Sequence, residues 1–193
     1  MQRYNSRIKK KNLLAGLVVG FFTFLIALLL SLGSEAFIQS VNNLIMALGL
    51  LLIIILLGIF FDIIGTAVTA AQTAPFNARA AKKIFGAPQA VRLTQNAGQV
   101  ANFCNDVVGD ISGTLSGAVG AGIVASLADT FPALDLVLAG AVMTSFIAAL
   151  TVGGKAVGKN LAVEYANQIV FQVAKIMAYG EALTGRQLFA SKR

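Results

Sequence analysis

Three carboxylates and one ammonium fall where an apolar chain tolerates charge least: Asp62, Asp106, Asp110 and Lys155. Asp62 directly follows the uninterrupted apolar run from Leu44 to Phe61. Asp106 and Asp110 repeat with Asn102 at four-residue spacing, one above another on a helix, and Asn105 sits on the neighbouring ridge. If that helix enters the bilayer near Val100, a rise of ~1.5 Å per residue carries Asp106 about 9 Å in and Asp110 about 15 Å in. A charged carboxylate at such depth costs at least ~2.5 kcal/mol and must face a cavity, a partner or a proton. The functional reading is an ion or proton site; the rival is a structural ion pair or a permanently protonated acid. Asp62 and Lys155 are expected at a depth similar to that of Asp106, so three helices deliver two carboxylates and an ammonium to one cytoplasmic vestibule. Oxygen ligands without His or Cys suit a hard cation such as magnesium, a reading that Lys155 complicates.

Other chemistry is excluded by composition. The chain has no histidine, and Cys104 is its single cysteine, so His-based triads, His–metal clusters and an internal disulfide are ruled out. Ser112 and Ser116 without a base read as packing residues, and the expectation is a protein that is not an enzyme. The net charge of +7 is not laid out as a stripe with interleaved aromatics, and no nucleic-acid partner is expected.

The elements that must position these residues are membrane helices. With 57% hydrophobic and 12% charged residues among 193, the chain lacks the polar surface of a soluble domain. The fold class expected is all-α: a polytopic bundle with four transmembrane helices at about 13–32, 43–73, 100–127 and 134–153. A basic cytoplasmic N-terminus occupies 1–12, and the membrane domain extends over 13–159. Its cytoplasmic loop, 75–98, carries a juxtamembrane helix pair, with Ala78 to Phe85 as one member and Gly86–Ala87–Pro88 as the turn. The first apolar run is too long for a signal peptide, although Ser34 and Ala36 resemble a cleavage site. The second is long enough either to tilt and project or to break near Gly65–Thr66. Residues 160–193 hold an amphipathic helix whose apolar face is Leu161, Tyr165, Ile169, Val173 and Ile176, lying on the bilayer, under the membrane domain or against a partner.

Topology follows from the cations. All 15 Lys and Arg fall in residues 1–12, 76–98 or 155–193, which predicts a multi-pass protein of the cell membrane with both termini cytoplasmic. Gly109, Gly113 and Gly117 repeat at the spacing that lets helix backbones approach, and Gly16–Gly20 and Gly154–Gly158 repeat it. They predict a tight bundle and a homodimer in the lipid bilayer.

From the second membrane helix onward the chain resembles the transmembrane domain of CNNM/CorC-type magnesium and cobalt transport proteins. The likeness rests on Gly65–Thr66, on Cys104–Asn105–Asp106–Val107–Val108, and on Gly154–Lys155–Ala156–Val157–Gly158–Lys159. These are similar, in order, to that family's Gly-Ser-Glu signature, Gly-Asn-x-Leu-Val segment and Gly-Glu-x-x-Pro-Lys turn. The resemblance implies Mg2+ as the transported ion, with Thr66, Asn105 and Gly154 as ion contacts. Where the family has its two glutamates this chain has Ala67 and Lys155, and Gly158 replaces the proline. The helix at 13–32 is outside the family core, and the paired regulatory domains that many members carry are not expected within these 193 residues. Lys155 is therefore expected as a tethered counter-ion, pairing with Asp106 or Asp62. Two functions remain open: a relative of divalent-cation transporters, active or not, and a non-catalytic scaffold or subunit that dimerises and binds a partner membrane protein or a separate regulatory domain.

Overall fold

The computed structural model describes residues 16–33 and 43–185. The basic segment 1–12, the Ser34 and Ala36 pair and the end of the tail lie outside the described residues. Among the described residues the chain is helical throughout, and four helices are long and apolar enough to cross a membrane. The first, α1, is Gly16–Gly33. It is followed by α2 (Leu44–Ala70), α3 (Thr73–Ala81), α4 (Ala87–Gln95) and α5 (Ala97–Ala101). A π-helical stretch, Asn102–Val108, joins α5 to α6 (Gly109–Thr130), and α7 (Leu136–Glu164) and α8 (Ala166–Thr184) complete the order.

Local signals set the ends. Asn43 and Asp135 cap α2 and α7, their side-chain oxygens accepting the backbone N–H of Ile45 at 2.9 Å and of Val137 at 2.9 Å. Pro75 is tolerated in the first turn of α3, where its missing N–H has no helical acceptor. The helix of this pair therefore starts at Thr73, earlier than the expected Ala78. Gly86 takes the left-handed conformation (φ 83°) that starts α4.

Of the two courses open to the second membrane helix, α2 takes the unbroken one, running for 27 residues, about 40 Å. One expected boundary is corrected. The fourth membrane helix does not end at Gly153. It continues to Glu164 because Gly154 and Gly158 lie against Ile59 and Ile63 of α2, so that the small-residue turn is a packing surface rather than a stop.

α2 is the hub of the bundle, touching α5, the π stretch, α6, α7 and α8. Toward its N-terminal end Leu51, Ile54 and Ile55 pack with Val119 and Ile123 of α6 and Ile147 of α7. Toward its C-terminal end Ile64 and Val68 join Phe76, Leu93, Cys104 and Val170 in a second core. The helix pair and α8 thus form a floor across the ends of the long helices. The face by which α8 joins this floor coincides only in part with the one read from the sequence, Ile169 and Val173 packing half-buried against it. Ala166, Val170, Ala174, Met177 and Ala178 are buried, whereas Tyr165 and Ile176 stay 43% and 70% exposed. Alanines permit the closer approach, and of the expected face Tyr165 and Ile176 remain outside. α1 stands apart, with no buried residue, across an apolar gap of about 480 Å³ from α2 and α6.

Candidate functional site

The polar centre of the bundle is built where α2, the π stretch and α7 meet. Asp62 is 4% exposed, although carboxylates are seldom buried without a partner. Lys155 Nζ lies 3.8 Å from Asp62 Oδ1, and Lys159 Nζ lies 3.9 Å from Asp62 Oδ2. Both lysines come from α7, one turn apart. Their side chains differ in setting: that of Lys155 is 25% exposed and that of Lys159 55%. Both separations exceed hydrogen-bond length, so charge rather than a directed bond holds them. Gly109 faces the Lys155 ammonium. A side-chain carbon there would come within 3.4 Å of the Lys155 ammonium, which therefore lies over a bare stretch of α6.

Asn105 is brought in by the π stretch, in which the Gly109 N–H reaches back to Cys104 O, five residues earlier. Such turns shift side chains out of the ordinary helical register and recur at functional positions. Here the Asn105 amide is laid against Gly65 of α2, in space that any side chain at 65 would fill. Three buried oxygens, Asp62 Oδ2, Asn105 Oδ1 and Thr151 Oγ1, have no hydrogen-bond partner. Each belongs to a different one of the three converging elements. Buried oxygens without donors are costly, and at Asp62, which faces two ammonium groups, positive charge is favoured.

The remaining sequence candidates fall elsewhere. Thr66 is half-buried one turn beyond Asp62, and Gly154 is spent on Ile59. Asp106 and Asp110 are exposed, and among the described residues neither carboxylate has an ion pair. The pairing of Lys155 is accordingly with Asp62 and not with Asp106. Gly113 and Gly117 are exposed too, with no atom within 4 Å of a side-chain carbon built on either. Within the chain the close helix approaches are made by Gly58, against Ser112, by Gly120, against Ile147, and by Gly154 and Gly158. Asp110, Gly113 and Gly117 recur at spacings of three and four, an unoccupied stripe along α6.

Lys159, which the sequence reading named only as the end of the Gly154–Lys159 segment, is a further member of the centre. It lies four residues beyond Lys155, so carrying the helical pattern past Gly153 places both on one face.

The donor set can be tested against magnesium. Among the described residues no three His, Cys, Asp or Glu side chains converge. Asp62 is the centre's one carboxylate, and it already faces two ammonium groups. A divalent ion there would meet more positive than negative charge, so the residues do not fit Mg2+. Compared with protein-family models, curated proteins and solved structures, the chain matches none.

Proposed function

We propose that this chain is a membrane protein on the plan of divalent-cation transporters in which a lysine has taken the place of the ion, so that it carries no magnesium and serves as a non-catalytic membrane subunit. The observation that carries the reading is the Lys155 ammonium, 3.8 Å from the buried Asp62. Lys155 stands where the resembling family has the glutamate of its turn, and the likeness in segment order supports the shared plan. A tethered ammonium supplies the positive charge that the buried carboxylate favours, and it does so without an ion from solution. Positive-inside placement of the cations supports cytoplasmic termini in the cell membrane.

The unoccupied stripe of α6 supports the subunit role. Acids exposed on a membrane helix call for a protein partner or a proton, and small residues beside them allow close approach. A second copy of this chain is the partner proposed.

Lys155→Glu restores the family's charge and is the decisive variant. Purified wild-type protein is expected to show no magnesium-dependent rise in melting temperature and no magnesium flux in proteoliposomes. Lys155→Glu is expected to gain a magnesium-dependent rise of several degrees. Magnesium flux through the wild type, or a variant as indifferent to magnesium as its parent, overturns the reading.

A further inference from the structure

We propose that the cytoplasmic floor is an anionic-lipid-binding surface, formed by the turn between α3 and α4 together with the adjoining face of α8. This inference does not depend on the reading of the polar centre.

The turn is fixed. Gly86 is pressed on the backbone of α8, where a side-chain carbon would lie 3.2 Å from Lys175 N. Lys83 holds a left-handed conformation (φ 55°) that few non-glycine residues adopt, so the direction of the chain through the turn is set by the fold. From this clamp project Lys82, Lys83, Ile84 and Phe85. The Phe85 ring lies 4.8 Å from that of Tyr179, yet the two residues are 50% and 64% exposed. Beside them Arg79 and Lys175 both lie over the Phe171 ring, at 4.6 and 4.8 Å from its centre.

Four cations therefore surround an ordered, exposed aromatic pair. Among the described residues none of the four has a carboxylate within ion-pair distance. The acids nearest in sequence are committed elsewhere: Glu181 is bound to Arg92, and residues 76–98 contain no acid at all. Two cations on one ring without a counter-charge fit an external anion. The exposed aromatic and aliphatic side chains fit an apolar phase at the same place. A phospholipid headgroup region offers both, since phosphates meet Lys and Arg while Tyr and Phe sit at the level of the glycerol backbone. The tether keeps this surface near a bilayer, because α3 begins three residues after the end of the membrane-spanning α2.

The protein has no tryptophan, so a single reporter can be introduced at the patch. Phe85→Trp in nanodiscs containing tail-brominated phospholipids is expected to be strongly quenched when phosphatidylglycerol is present, and several-fold less in phosphatidylcholine alone or at high salt. Adding Lys82→Gln and Lys83→Gln is expected to weaken the phosphatidylglycerol response by about 25-fold in lipid concentration, from about fivefold per cation. Tyr179→Trp, on the partner ring, gives the same readout should Phe85→Trp fail to fold. An unquenched, water-exposed tryptophan in every lipid overturns the proposal. So does quenching that ignores lipid charge, or that survives loss of both lysines unchanged.

Discussion

Among the described residues two carboxylates are held in ion pairs of long sequence separation, Asp62 inside the bundle and Glu181 in its floor, and the two are built on opposite terms. In the floor Arg92 and Glu181 meet at 2.5 Å, each side chain 10% exposed, and Gln89 adds a second hydrogen bond to the same Glu181 oxygen at 2.9 Å. In the bundle Asp62 meets two lysines at 3.8 and 3.9 Å, and its Oδ2 has no hydrogen bond. A short, directed and fully partnered pair fixes α4 on α8 and leaves little to exchange. A long contact to flexible ammonium groups neutralises charge without fixing geometry. The difference separates a clasp from a centre able to change partners.

The largest effect is expected from opening the clasp. Glu181→Ala strands the Arg92 guanidinium and should cost about 3–5 kcal/mol, read as loss of the folded fraction in a detergent–SDS titration. A loss no greater than at the other pair would erase the distinction between them. Lys155→Met should cost less, about 2 kcal/mol, because Lys155 is partly hydrated and Lys159 still faces Asp62. Asp110→Asn belongs to neither pair, and in micelles, where the carboxylate is hydrated, it should change stability by less than about 0.5 kcal/mol. In a bilayer the same variant should instead change the yield of dimer in cross-linking. A large stability loss in micelles would give Asp110 an internal partner and add a third pair to the comparison.

The long helices were legible because hydrocarbon thickness imposes a run length that composition displays directly. The convergence of Asp62 and Lys155 was legible as well, since depth along each helix follows from residue counting once the crossings are ordered. What stayed hidden depends on contacts between distant segments. Gly153–Gly154 reads as a helix end, and only Ile59 and Ile63 on another helix turn it into a continuing one. The π stretch is a change in hydrogen-bond ring that leaves no mark in the composition of Asn102–Val108. Asp110 reads as facing a cavity, a partner or a proton, but which way its ridge points is decided by Ser112, packed on Gly58 of α2. The buried ridge of α8 escaped notice because alanines carry a weak periodic signal beside Tyr165, Ile169 and Ile176. The Arg92–Glu181 clasp left a clue: Glu181 is the sole acid after Glu164, and the cationic segment 76–98 has none of its own.

Only Tyr165 separates α7 from α8, and its backbone stays in the ladder: its N–H donates to Leu161 O, and its own carbonyl accepts from Ile169 N at 3.0 Å. A joint this short acts as a stiff elbow. Any tilt of the 29-residue rod is passed to an arm of 19 residues, about 28 Å long, at whose middle stands Lys175. Lys155 and the underside of the molecule thus belong to one nearly continuous length of helix.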